Sequence, residues 1–255
     1  ERNDGRRVPP VAAARRSSVV GYREAGTAGE SAVAVAEAGA DGSGLGPPDG
    51  DPVMDGPIIQ EATNHVLEAG FRTRDLFPLI QRITDRTDAP VLVMSYWNLI
   101  VQYGVDRYAA DLAAAGGAGI ITPDITPDAA EEWIRASEKH GLDRVFLAAP
   151  TSTDERLALI ASSSSGFVYT VSTMGITGER AELDEAARTL VGRLRAAGAA
   201  RACVGIGVTT AEHVSNIAGY ADGAIVGTAL VKALRDGGVD GLAAKARELV
   251  AGTRR

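Results

Sequence analysis

The sequence contains few of the residue types on which several kinds of reactive site depend. Its 255 residues include a single cysteine, Cys203, so no disulfide framework can form, and a reducing cytoplasm is the expected location. Lysine occurs only at Lys139, Lys232 and Lys245, and histidine occurs three times. All of these lie in stretches with helical patterns, so we expect neither a Schiff-base lysine nor a metal site.

Long apolar runs and excess positive charge are also absent from the sequence. No apolar run approaches the roughly 20 residues that span a bilayer. The formal net charge of −7 gives no general attraction for nucleic acid or an anionic membrane, so any anion site must be local. Residues 1–16 contain five arginines without an apolar segment. They do not resemble a secretory signal, and we expect them to form a flexible N-terminal segment.

Short apolar runs alternate with amphipathic stretches along the chain. Six runs predict strands: Pro90–Met94, Gly119–Thr122, Arg144–Ala148, Gly166–Val171, Ala202–Val204 and Gly223–Val226. Continuous apolar runs are typical of parallel strands that are buried on both faces. Two further strands are expected upstream, at Ser18–Tyr22 and near Asp41–Gly46. Eight units over residues 17–255 predict an α/β fold, a single (β/α)8 TIM barrel, with an open doubly wound sheet as the alternative.

Amphipathic stretches between these strands predict the helices. They are expected at Asp106–Ala115, Pro127–His140, Thr153–Ser162, Leu183–Ala197 and Thr210–Ala218, and from Ala229 and Val239 onward. Pro127 suits the first turn of its helix, where its missing N–H is not needed.

Carboxylates are the reactive groups that remain near the predicted strand ends. Asp51 and Asp55 lie in the loop after the second strand, Asp124 follows the strand Gly119–Thr122, and Glu24 follows the first strand. This set suits acid–base chemistry without a metal or an organic cofactor. An aspartate beside proline or glycine is also a common turn or capping residue, so both interpretations stay open.

Glycines cluster after the last three predicted strands, in the segments 175–178 (GITG), 205–207 (GIG) and 227–228 (GT). Phosphate oxygens need backbone N–H groups at close range, and a helix N-terminus adds a favourable dipole. The loops after the last two strands of this barrel are a frequent phosphate site. We therefore expect phosphate contacts from Gly178, Gly205, Gly207, Gly227 and Thr228.

Apolar and aromatic residues at strand ends predict a second part of the pocket. Met94, Tyr96 and Tyr169, with Ile121 and Leu147, are suited to wall a flat pocket for a ring. Packing in the core is the alternative interpretation of each. The implied ligand carries a phosphate at one end and a planar apolar group at the other.

Several sequence blocks together resemble the tryptophan synthase alpha chain family, over about four-fifths of the chain from Asp51 to the C-terminus. The blocks are residues 51–60 (DPVMDGPIIQ), 94–98 (MSYWN), 122–124 (TPD), 166–169 (GFVY), 175–178 (GITG), 205–207 (GIG) and 224–228 (AIVGT). The resemblance implies a lyase of tryptophan biosynthesis, which cleaves indole-3-glycerol phosphate to indole and glyceraldehyde 3-phosphate.

The resemblance also implies roles for particular residues. It gives Asp55 the hydrogen bond from the indole N–H, and it puts Thr177 on a loop that closes over the substrate. Tyr96 and Tyr169 would line the pocket, and the phosphate ligands would be Gly178, Gly207, Gly227 and Thr228.

A β subunit is the partner that the resemblance implies, in an alpha-beta-beta-alpha heterotetramer. The loop Pro52–Pro57 and the loop after Asp124 would face that subunit. No cofactor is expected in this chain, and pyridoxal phosphate is expected only on the β partner.

One position departs from the family pattern. The family has a proton-shuttling glutamate in its second strand, and the matching position is Gly44. The second strand is therefore predicted to be degenerate and the first helix shortened. Glu24 and Asp49 are the candidates for the missing carboxylate. The alternatives are an impaired alpha-like subunit that binds and activates a β subunit, or another phosphate-binding barrel lyase or isomerase.

Overall fold

The computed structural model describes residues 28–51, 55–171, 180–205 and 207–253. Its strands are β1 (Ser43–Leu45), β2 (Val91–Met94), β3 (Gly119–Thr122), β4 (Asp143–Ala148), β5 (Val168–Val171), β6 (Ala202–Gly205) and β7 (Gly223–Ala224). Its helices are α1 (Ala28–Glu37), α2 (Pro57–Glu68), α3 (Leu76–Thr84), α4 (Trp97–Tyr103), α5 (Val105–Ala114), α6 (Glu131–His140), α7 (Asp154–Ser163), α8 (Arg180–Ala196), α9 (Ala211–Ile217) and α10 (Thr228–Ala251). None of the helices in these ranges combines the length and apolarity that crossing a bilayer requires.

The seven strands form one parallel sheet in which each strand pairs with the next one along the chain. Doubly wound sheets reverse their strand order at a switch point, and the described strands have no such reversal. Parallel strands that follow chain order and are joined through helices are the pattern of a (β/α)8 barrel. The predicted fold class is therefore confirmed. The strand predicted at Ser18–Tyr22 lies outside the described residues.

Successive residues of each strand belong to two separate apolar groups, because both faces of the sheet are buried. Ile120, Phe146 and Val204 pack in the larger group, which also contains the helix residues. The second group, which we call the lumen cluster, lies on the face that the strands enclose. Its members are Leu92, Ala118, Ile121, Val145, Phe167, Tyr169, Val171, Cys203 and Ile225, with Met94 and Leu147 packed against it.

The second predicted strand forms in spite of its glycines, as the short strand β1. The Ser43 N–H donates to the Pro90 carbonyl at 3.0 Å, and Gly44 is level with Leu92 of β2. Strand pairing uses backbone groups, so missing side chains do not prevent it. Ser43 and Leu45 face the helices, since the Ser43 hydroxyl donates to the Ala32 carbonyl and Leu45 packs in the larger group. Position 44 therefore faces the lumen.

The structure corrects some of the helix predictions and confirms others. The helix predicted from Pro127 begins as a 3₁₀ turn, and α6 itself starts at Glu131. Neither α3 nor α4 was predicted. The two predicted C-terminal helices, from Ala229 and from Val239, are confirmed: both lie within α10, and they are separated at Gly238 (φ 62°), a left-handed conformation that glycine adopts readily.

Candidate active site

Asp55 lies in the loop between β1 and α2, at the carboxyl ends of the strands. It is half-buried, and its carboxylate accepts a hydrogen bond from the Tyr96 hydroxyl. The Gln60 side-chain amide donates to the Asp55 carbonyl at 2.7 Å, and Pro57 begins α2 directly afterwards. These contacts fix the backbone of Asp55 at the start of a helix.

The surroundings of Asp55 alter its proton affinity. Burial raises the pKa of the Asp55 carboxyl above its ordinary value, and the negative charge of Asp49 raises it further. The hydrogen bond from Tyr96 acts in the opposite direction and lowers this pKa, but the net shift is upward. Perturbed carboxyls of this kind concentrate at functional sites.

Asp49 is the second carboxylate at this end of the barrel. It is only 7% exposed, and the Asn98 side-chain amide donates to its Oδ2 atom at 2.8 Å. The backbone N–H of Asp51 donates to its Oδ1 atom at 3.0 Å. Asp51 itself is exposed. Asp49 is thus held from two sides, by its own loop and by α4.

Asp124 serves α4. Its two carboxylate oxygens accept the Trp97 backbone N–H at 2.9 and 3.0 Å. The N-cap residue of α4 is Tyr96, which makes no side-chain capping bond, so Asp124 supplies that bond from the next loop. Of the two interpretations that the sequence left open for Asp124, the structure shows the capping role. Through this contact Asp124 anchors the start of α4, which carries Asn98 and directly follows Tyr96.

Removal of the Asp124 carboxylate is expected to loosen α4. We expect Asp124→Ala to lower the free energy of unfolding by about 0.5–2 kcal/mol, the usual range for a lost N-terminal cap. Urea titration followed by circular dichroism measures this. The matched control is Asp124→Asn, which keeps an oxygen acceptor and should retain most of the stability. Equal losses in the two variants would contradict the capping role.

The residues predicted to wall a ring pocket gather in the lumen. Ile121 and Tyr169 belong to the lumen cluster, and Met94 and Leu147 pack against it while they stay partly exposed. Met94 is the last residue of β2 and Leu147 the last but one of β4, so the partly open positions lie at the carboxyl ends of the strands. Ile121 has no exposed surface and has the core-packing role.

Tyr169 and Gly205 are in very close contact. A Cβ atom added at Gly205 would lie 2.1 Å from the Tyr169 hydroxyl oxygen and 2.4 Å from its Cζ atom. Gly205 was predicted as a phosphate ligand, but the observed contact gives a different reason for glycine at this position. Burial, with a smaller effect from Cys203, raises the pKa of Tyr169 far above its ordinary value, so its hydroxyl is neutral.

The predicted phosphate loops follow β6 and β7. Gly207 is exposed and has a φ of 73°, a left-handed conformation that favours glycine. Gly227 is the N-cap of α10, and the exposed residue Thr228 is its first residue. Among the described residues no side-chain hydrogen bond caps this helix end, and a Cβ at Gly227 would meet nothing within 4 Å. Backbone N–H groups at the N-terminus of a helix can receive an anion.

Other predicted site residues cannot be compared with the structure. Glu24, Thr177 and Gly178 lie outside the described residues. In the part of the chain that the structure describes, no three His, Cys, Asp or Glu side chains come together as a metal site would require. The absence of a resident metal or cofactor stays a prediction.

Asn98 is the residue that sequence reasoning missed. Asn98 is uncharged and does not belong to a glycine-rich loop, so neither its residue type nor its neighbours marked it as a site residue. Its one indication was its position, four residues after the end of a buried strand, where polar side chains reach the mouth of a barrel.

The fold and the site together define a TIM-barrel protein with carboxylates and an open helix N-terminus at the carboxyl ends of its strands. The family model for the tryptophan synthase alpha chain matches residues 18–253. This chain belongs to the tryptophan synthase alpha chain family, a lyase family of tryptophan biosynthesis.

Members of this family are similar to this chain over nearly its whole length. The tryptophan synthase alpha chain of Leifsonia xyli subsp. xyli is 58% identical over 240 residues, which cover 92% of each chain. That of Mycobacterium avium is 48% identical over 244 residues, 94% of this chain and 90% of the relative. A solved structure of Mycobacterium tuberculosis tryptophan synthase matches with a TM-score of 0.89 and 45% identity, covering 99% of this chain and 100% of that one.

Proposed function

We propose that this chain is a tryptophan synthase alpha subunit that cleaves indole-3-glycerol phosphate to indole and glyceraldehyde 3-phosphate. The observation that carries the proposal is the half-buried carboxylate of Asp55, fixed at the mouth of the barrel beside Tyr96. Family membership supports the same substrate and reaction.

The reaction needs a negative group beside the indole ring. Protonation of ring carbon C3 generates positive charge that is shared with the ring nitrogen, and the C3–glycerol bond then breaks as the adjacent hydroxyl loses its proton. A carboxylate that accepts the ring N–H stabilises this charge, and it does so more strongly at a site shielded from water. Asp55 suits this role because its backbone and hydroxyl contacts hold it in place before the substrate binds.

The other end of the substrate is a phosphate, for which the glycine loops are suited. In the proposed complex the phosphate sits before the N-terminus of α10, where Gly227, Thr228 and Gly207 present backbone N–H groups. Thr177 and Gly178 complete this site in the proposal. The ring then extends toward Met94 and Leu147 at the mouth of the lumen.

The space before Gly227 gives a direct test of the phosphate site. We expect Gly227→Ala to raise the KM for indole-3-glycerol phosphate about tenfold or more, since the added methyl occupies the space proposed for phosphate oxygens. The Tm should change by no more than about 2 °C, because nothing in the protein contacts that methyl. The matched control is Gly237→Ala, at an exposed position farther along α10, where the added methyl also meets nothing within 4 Å. An unchanged KM in Gly227→Ala would contradict the proposal that the phosphate binds in front of Gly227.

A second candidate function rests on Gly44. Since this lumen-facing residue of β1 has no side chain, the chain lacks a carboxylate at the position where the family pattern has its glutamate. An impaired chain would still be able to bind a β subunit, which would carry the pyridoxal phosphate, in an alpha-beta-beta-alpha assembly, and raise that subunit's activity. The proposed contact surface is the loop before α2 and the loop after Asp124.

Steady-state release of indole from indole-3-glycerol phosphate separates the two functions. We expect measurable turnover by the isolated chain, and more when a β subunit is added. No turnover by the chain alone, together with a rise in β-subunit activity on mixing, would favour the impaired subunit. A chain that does neither would contradict both proposals.

A further inference from the structure

The proposed reaction needs a proton carrier that the strand β1 does not supply. One proton must leave the glycerol hydroxyl and one must reach ring carbon C3. Position 44 faces the lumen but is a glycine, so the carrier must come from another part of the site. The inference below rests on the proposed function.

The described carboxylates near the mouth differ in how free they are to carry a proton. Both oxygens of Asp124 are occupied at the start of α4, where its removal would release a helix end. Asp51 is exposed to solvent. Asp55 has the proposed role of ring N–H acceptor, which it can fill only while it keeps its charge. Asp49 is the remaining carboxylate.

Asp49 has the surroundings that a proton carrier requires. It follows β1 by four residues and is more than nine-tenths buried, so little of it is in contact with bulk water. Asn98 and the Asp51 N–H each donate to one of its oxygens, which fixes the carboxylate plane, and each oxygen keeps a second lone pair for the substrate. Its negative charge acts on the Asp55 carboxyl, so both carboxylates lie in the same region of the barrel mouth.

We propose that Asp49 is the general base and acid of the cleavage, in place of the glutamate that Gly44 lacks. In its protonated form Asp49 gives its proton to ring carbon C3, and it then accepts the proton of the glycerol hydroxyl as that oxygen forms the aldehyde carbonyl. The electron pair of the breaking C–C bond goes to the ring, whose C3 has gained a proton from the same carboxyl. One proton leaves oxygen and one reaches carbon, so the protein returns to its starting state without any oxidant or reductant.

Asn98 is the positioning residue for this carboxylate. It lies in α4, directly after Trp97, whose N–H is held by Asp124. Asp124 holds the start of α4, and α4 in turn places Asn98 against Asp49. The contact between Asp124 and α4 therefore helps to position the proposed catalytic carboxylate.

The test is steady-state indole release by Asp49→Asn, a change that preserves shape and removes the proton-carrying group. We expect kcat to fall about 10²–10⁴-fold, the usual contribution of a general acid or base, with KM within about threefold of the wild-type value. We also expect the acid limb of the kcat/KM profile to move to lower pH, because Asp55 loses a neighbouring negative charge. That shift follows from the lost charge alone, so the proton-carrying role is tested by rescue with a carboxylate at a second position, which would not restore a purely structural role of Asp49. The rate should return toward the wild-type value in the double variant Asp49→Asn with Gly44→Glu.

The outcomes separate this inference from the proposed function. If the wild-type chain releases indole and Asp49→Asn stays within threefold of it, Asp49 is not the carrier and the proposed function stands. If the wild type is inactive and Gly44→Glu is active, the inference is overturned and the chain is the impaired subunit. If neither has activity, the proposed function fails together with the inference. Asp85→Asn, at an exposed position at the end of α3, is the matched control and should change no rate.

Discussion

Asp55→Asn is expected to lower the kcat for indole release about 10²–10³-fold, the range found when one preorganised charge-stabilising group is removed from an active site. Asparagine keeps the shape and can still accept the Tyr96 hydrogen bond, but it has no charge to offset the positive ring. KM should change little, because the phosphate end of the substrate is untouched. Initial rates over a range of substrate concentrations measure both constants.

Stability measurements on the same variant exclude unfolding as the cause. Because burial raises the pKa of Asp55, its ionisation opposes folding, and this effect is fully present above the raised pKa and disappears as the pH falls toward its ordinary value. At pH 7 the Tm of Asp55→Asn should therefore be no lower than that of the wild type. Asp85→Asn should leave kcat unchanged. A normal kcat in Asp55→Asn would remove Asp55 from the mechanism.

Gly205→Ala is expected to have the largest effect on stability. The new Cβ would lie 2.1 Å from the Tyr169 hydroxyl oxygen and 2.6 Å from its Cε1 atom, well inside van der Waals contact. Tyr169 is a rigid ring in a packed lumen, so it cannot move without displacing its neighbours. We expect a loss of about 1–3 kcal/mol in the free energy of unfolding, together with a rise in KM because the lumen below the ring pocket is disturbed.

Gly192→Ala is the matched control, and it is expected to change the free energy of unfolding in the opposite direction. Gly192 is exposed within α8, and a Cβ there would meet nothing within 4 Å. Alanine in a helix interior is better than glycine by about 0.5–1 kcal/mol, so this variant should be more stable than the wild type. Chemical denaturation of both variants makes the comparison. A Gly205→Ala protein as stable as the wild type would show that the contact with Tyr169 relaxes without cost.

The sequence by itself determined the barrel. Runs such as Val91–Met94 are apolar at every position because each face of the sheet is buried, and that pattern survives in a single sequence. The glycine at 227 before a helix and the aspartates of the loop after β1 also have local signatures. These features depend on neighbours in the chain, which is why they could be predicted.

Only the tertiary structure decided which side chains meet. Asp49 is joined to Asn98 across 49 positions, and Asp124 reaches back 27 positions to Trp97. Neither separation corresponds to the repeat of a helix or a strand, so no local sequence pattern indicates these contacts. Gly205 gave the same signal as a phosphate-loop glycine, but the space around it is set by a tyrosine on the neighbouring strand. Local propensity and alternation fix the scaffold, whereas contacts at the site depend on how distant strand ends are brought to one mouth.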